Sequence, residues 1–172
     1  RLLCVDGEAA IRFGIRFFLA AHGFEVDEAR VCAEAVAACR ATLPDLAIID
    51  FRLPDGTALE LLPQLKEIAP DVPVAILTAH GSIDLAVRAV KEGAEQFLTK
   101  PLELPALLVI VQRLLAQQRT RQRGLADQAR QTRRVVDPFV GNAPAMRQLA
   151  EGAKRVAASD RPGVIHGAAR SG

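Results

Sequence analysis

Short apolar runs that stop at a polar residue recur along this chain, separated by stretches whose apolar residues keep helical spacing. Leu2-Leu3-Cys4-Val5 stops at Asp6, Leu46-Ala47-Ile48-Ile49 at Asp50, and Val74-Ala75-Ile76-Leu77 at Thr78. Unbroken apolar runs of this length fit strands buried on both faces. Phe24-Glu25-Val26 alternates as a second strand, and Gln96-Phe97-Leu98 reads as a fifth that leads to Lys100. Between them, Ala9 to Ala21 carries Ile11, Ile15, Phe18 and Leu19 on one helical face and is closed by His22-Gly23. Val31 to Ala41 is an alanine-rich helix, and Ala58 to Ile68 a third, with Pro63 expected in its first turn or at a kink. Ser82 is placed to cap a fourth helix that runs to about Glu92 and stops at Gly93.

Five strand–helix units in alternation predict an α/β fold, a doubly wound five-stranded parallel sheet with helices on both faces. Sites in such sheets gather at the carboxyl ends of the strands, and Asp6, Asp50, Thr78 and Lys100 all fall at that edge. Two carboxylates there suit an oxygen-loving cation such as Mg²⁺, which offsets the charge of a phosphoryl group while one carboxylate attacks it. Lys100 is placed to pair with a phosphate oxygen and the Thr78 hydroxyl to hydrogen-bond another. Any one of these residues is also an ordinary polar strand end; the set of four points to phosphate chemistry.

From Pro105 the pattern becomes one long helix. Leu104, Val111, Gln118, Leu125 and Thr132 share a heptad line, with Leu108, Leu115, Gln122 and Ala129 beside it, a half-polar seam for a coiled coil. Arg119, Arg121, Arg123, Arg130, Arg133 and Arg134 make this the basic part of the chain and read as a solvated linker face rather than a nucleic-acid contact. Val135 to Pro138 breaks the helix, after which Ala143 to Ala157 reads as a helix and Val164-Ile165-His166 as a strand.

Composition narrows the picture without redirecting it. Half of the 172 residues are apolar, enough for a sizeable core, and the net charge of +2 makes no whole-chain case for nucleic acid. Cys4, Cys32 and Cys39 form no CxxC pair and read as core or helix-face residues of a reducing compartment. His22 and His166 read as surface or turn histidines. No apolar run reaches the length of a membrane span and no signal-peptide pattern opens the chain, so the cytoplasm is the expected location. Arg1 and Gly172 as terminal residues suggest a segment of a longer protein.

"RLLCVDGE", "PDLAIIDFRLPDG", "AILTAHGS" and "GAEQFLTKP" resemble, in order and spacing, the receiver domain of two-component response regulators, a flavodoxin- or CheY-like fold. The resemblance covers about residues 1–117. It implies that Asp50 accepts phosphate from a phosphohistidine on a sensor histidine kinase, and that Thr78 and Phe97 form the switch pair. It also implies that Lys100 contacts the phosphate and that Lys100-Pro101 is a cis peptide. Arg52 and His80 occupy the variable positions that tune the lifetime of the phosphate in that family. One departure stands out. The family places two adjacent acids after the first strand, the second of which binds Mg²⁺ directly; here the pair is Asp6-Gly7, so that either Asp6 or Glu8 substitutes or the metal binds weakly. A phosphorylation-independent pseudo-receiver, acting as a dimerisation and docking module, is the alternative reading.

"FVGNAPAMRQLAEGAKRVAASDRPGVIHGAARSG", residues 139–172, resembles the entrance of the AAA+ ATPase domain of sigma-54-dependent, NtrC-like transcriptional activators. In that register Gly167 and Gly172 are the outer glycines of a GxxxxGK phosphate loop, and Arg170 stands where the family has glycine. Three segments are thus expected: a receiver over 1–117, a helical linker over 105–135 continuing from its last helix, and the start of the ATPase over 139–172. The resemblance implies a homodimer through receiver and linker. It reserves ATP, sigma-54 RNA polymerase and DNA for the longer protein, because no phosphate-loop lysine follows Gly172 here. The catalysis left to this chain is its own phosphorylation.

Overall fold

The computed structural model describes residues 1–136, with side chains to residue 133. The expected helix over 143–157, the strand over 164–166 and the glycines Gly167 and Gly172 lie outside the described residues. Five principal strands alternate with five helices: β1 (Leu2–Val5), α1 (Ala9–Ala21), β2 (Val26–Ala29), α2 (Cys32–Ala41), β3 (Leu46–Asp50), α3 (Ala58–Ile68), β4 (Val74–Thr78), α4 (Ile83–Lys91), β5 (Gln96–Thr99) and α5 (Leu104–Val136). The strands form one parallel sheet in the order β2-β1-β3-β4-β5. Its interior strands are the three apolar runs, as burial on both faces requires.

Alternation within each strand divides the core in two. Leu3, Val5, Ala47, Ile49, Val74 and Ile76 pack on one face with α2, α3 and Ala89 of α4. Leu2, Cys4, Leu46, Ile48, Ala75 and Leu77 pack on the other, against Ile15 and Leu19 of α1 and Leu107, Val111, Leu114 and Leu115 of α5. Cys4 and Cys39 are buried in these clusters, and burial pushes the Cys4 thiol up to about 12, so both behave as small apolar residues.

The expected second strand needs correction. It is Val26–Ala29, in register with Leu2–Val5, rather than Phe24-Glu25-Val26. Phe24 instead packs against the α1–α5 core. The alternating apolar signal misleads because β2 is an edge strand, so Asp27 and Glu28 are tolerated on it. Pro63 lies inside α3, past its first turn.

The helix ends follow their chemistry. Ser82 Oγ accepts from the Leu85 N–H at 3.2 Å, and Gly93, at φ 102°, turns the chain out of α4. The Glu60 carboxylate accepts from the backbone N–H and the hydroxyl of Thr57 at the start of α3. Residues Arg1–Arg123 make one compact unit and a second begins at Gly124. From Ala116 to Arg133 every residue of α5 is exposed except Gln118, the arginines of this stretch among them.

Candidate functional site

Register brings the four expected residues together. β1 ends at Val5, β3 at Asp50, β4 at Thr78 and β5 at Thr99, so Asp6, Asp50, Thr78 and Lys100 meet at the carboxyl edge of the sheet. The Lys100 backbone N–H donates to the Thr78 carbonyl at 2.7 Å, which extends the β4–β5 ladder by one residue and sets the two side chains over the same edge. The Lys100–Pro101 peptide is cis.

The Lys100 ammonium lies 2.8 Å from Asp6 Oδ2 and 2.8 Å from Asp50 Oδ1, a bridge between the two carboxylates. Asp6 is 2% exposed, and its second oxygen accepts the Glu8 N–H at 2.8 Å. Burial works against the lysine charge, but hydrogen bonds to Asp50 and Asp6 outweigh it and hold the Lys100 pKa above the usual lysine value. Thr78 is buried, and its Oγ1 accepts from the His80 N–H at 3.2 Å, which leaves the hydroxyl proton free to be donated. A cavity of about 260 Å³ opens over this group, lined by Asp6, Gly7, Glu8, Asp50, Arg52 and His80 together with Thr78 and Lys100. A larger neighbouring cavity shares only Lys100 with it and is otherwise lined by apolar residues and Gly14.

A carboxylate at the mouth of a small polar cavity, with a lysine and a threonine hydroxyl beside it, is equipped to take up a phosphoryl group. The response regulator receiver domain model matches residues 2–112. The chain belongs to that family.

Relatives extend the match. Response regulator protein PilR of Pseudomonas aeruginosa is 34% identical over 172 residues, covering 100% of this chain and 37% of the relative. The chain spans about a third of the length of the curated relatives it matches. Among solved structures, the beryllofluoride-activated NtrC4 receiver domain dimer superposes with a TM-score of 0.66 at 31% identity, covering 69% of this chain and 98% of that one. NtrX from Brucella abortus in complex with ADP gives a TM-score of 0.69 at 31% identity, over 91% of this chain and 34% of that one.

Within this receiver, the acid pair after β1 is incomplete. Gly7 contributes no ligand, and a Cβ built there would lie 3.3 Å from Pro54 Cδ and 3.4 Å from Cγ, so the proline ring abuts the place of the second acid. Glu8 lines the cavity, yet no group of three His, Cys, Asp or Glu side chains is arranged to hold a metal among the described residues. Two carboxylates remain, and together with the oxygens of a bound phosphate these fit Mg²⁺, which keeps much of its water.

Three contributors escaped the sequence reading. Arg12 Nη1 donates to the Asp6 carbonyl at 2.6 Å while its Nε faces Glu28, tying the turn that carries Asp6 to β2. Asp55 caps α2 by accepting from the Cys32 and Ala33 N–H groups; these bonds, from Cys32 above all, hold its carboxyl below the usual value. Gly81 lets the loop after β4 close down, because a Cβ there would meet Thr99 Cγ2 at 2.5 Å and the Phe97 ring and Thr78 Cγ2 at 3.6 Å. The expected switch pair therefore shares a neighbour, and a glycine in "TAHGS" was the only sign of it. Phe97 itself is partly buried against the α2–α3 core.

Proposed function

We propose that Asp50 is the phosphoacceptor of a two-component phosphorelay, with a phosphohistidine of a sensor histidine kinase as donor. The observation that carries this reading is the Lys100 bridge between Asp6 and Asp50 beneath a cavity that also holds the Thr78 hydroxyl. An Asp50 carboxylate oxygen attacks phosphorus, the P–N bond breaks, and its electron pair leaves with the imidazole, which takes up a proton. Lys100 moves from carboxylate to phosphoryl oxygen and the Thr78 hydroxyl donates to another. Mg²⁺ held by Asp6 and Asp50, when bound, supplies positive charge against the phosphoryl oxygens. As the Thr78 side chain moves toward the phosphoryl group, the space it leaves admits Phe97, and the loop through Gly81 follows.

The output surface in this reading is α4, β5 and α5. Ile83, Val87 and Val90 form an apolar stripe on α4, exposed by 84%, 47% and 59%, and suit a homodimer whose equilibrium phosphate shifts. The segments then divide as a receiver over 1–117, a linker over 105–135 that joins two chains, and the start of an AAA+ domain over 139–172 with Gly167 and Gly172 in its phosphate loop. ATP, sigma-54 RNA polymerase and DNA belong to the longer activator in this proposal, which acts in the cytoplasm. The described helices include none long and apolar enough to cross a membrane.

Intact mass after incubation with acetyl phosphate and Mg²⁺ tests the proposal: one phosphate adduct on the wild type and none on Asp50→Asn. Gly7 favours a second reading, a pseudo-receiver that docks and dimerises without phosphate; no adduct at any Mg²⁺ concentration selects it.

A further inference from the structure

The incomplete acid pair leaves the resting site with an unusual charge balance. We infer that Lys100, rather than a resident Mg²⁺, is the counter-ion of Asp6 and Asp50 at rest, and that Mg²⁺ binds strongly only together with a phosphoryl group. The inference deepens the phosphoacceptor reading and rests on it.

Four observations on different residues agree. Gly7 has no side chain to offer, and Pro54 abuts the space a second acid would enter. Both oxygens of buried Asp6 are engaged, one by the Glu8 N–H and one by Lys100. Asp50 is held by the same ammonium at 2.8 Å. Glu8 lies at the cavity rim without completing a trio of metal-binding side chains among the described residues. Two carboxylates and one ammonium leave a single net negative charge, too little to draw Mg²⁺ from its water. A phosphoryl group brings both negative charge and oxygen ligands, so it replaces what Gly7 removed. Linkage then requires that Mg²⁺ raise affinity for the phosphoryl group by the same factor.

The test is Mg²⁺ titration of the whole chain, followed by amide NMR shifts around Asp6 and Asp50, with and without beryllium fluoride as phosphoryl mimic. Gly7→Asp restores the missing charge and should tighten Mg²⁺ binding by roughly tenfold or more. Glu8→Gln should leave it unchanged, and Lys100→Met should tighten it by freeing the two carboxylates. Beryllium fluoride should tighten Mg²⁺ binding to the wild type more than to Gly7→Asp.

Wild-type affinity equal to that of Gly7→Asp, or a tenfold loss in Glu8→Gln, overturns the inference. Should Gly7→Asp be strained by the nearby ring, Gly7→Asp with Pro54→Ala relieves the contact and must then show the gain. The acetyl phosphate experiment separates the two failures. An adduct on Asp50 alongside tight resting Mg²⁺ sinks only this inference. No adduct and no effect of beryllium fluoride on Mg²⁺ affinity removes the phosphoacceptor reading and the coupling with it.

Discussion

Lys100 shows how one side chain sets the character of the site. Its ammonium compensates two carboxylates that would otherwise repel one another, and its raised pKa follows from those same bonds. Because the folded value lies above the usual 10.5, its stabilisation is complete below that pH and is lost as pH rises through the folded pKa. Chemical denaturation across the alkaline range should therefore show stability falling above about 10.5 in the wild type and a flatter profile in Lys100→Met. Asp55 has the opposite sign: its depressed pKa means that its cap on α2 is intact above the usual carboxylate pKa and lost as pH falls through the lower, folded value. Gly81 is the third residue whose identity decides local structure. Gly81→Val should destabilise the fold by about 1–3 kcal/mol through overpacking against Thr99 and Phe97, measurable by urea titration, and should blunt any response to phosphate.

Among the elements, α4 is the least anchored. Of its residues only Ala89 is buried, whereas α3 buries Ala58, Leu61, Leu62 and Leu65. Helices with few buried contacts open at low free energy, so amides of α4 should exchange with deuterium faster than those of α3 and the central strands β3 and β4. Ser82→Ala, which removes the cap, should cost about 1 kcal/mol and speed α4 exchange selectively. Legibility in the sequence follows the same division. The three interior strands and helices α1, α3 and α4 were readable because apolar periodicity reports burial directly. β2 was misplaced because an edge strand is only half bound by that pattern. Asp55 could not be linked to α2, since the partners lie 22 and 23 residues apart and meet only through tertiary folding.

On the scale of the molecule, the strand ends named from sequence do converge, because a parallel sheet places every carboxyl terminus on one edge. What spacing could not say is that Lys100 would touch both acids, or that Pro54 would lie against Gly7; these are distances between segments, not patterns within one. The proposed dimer belongs to this scale as well. Val87→Glu, on the exposed stripe of α4, should leave the fold intact and weaken self-association of the phosphorylated chain, as read by sedimentation equilibrium. Unchanged association would move the dimer contact away from α4.

The bridge between Asp6 and Lys100 joins residues 94 positions apart, and this has a consequence for synthesis. A ribosome releases Asp6 and Asp50 long before Lys100, so a nascent chain carries both acids before the lysine that bridges them. The working edge cannot exist until β5, at the margin of the sheet, has docked. On the proposed reading, a half-made chain would be silent to a phosphoryl donor until β5, the last strand among the described residues, is in place.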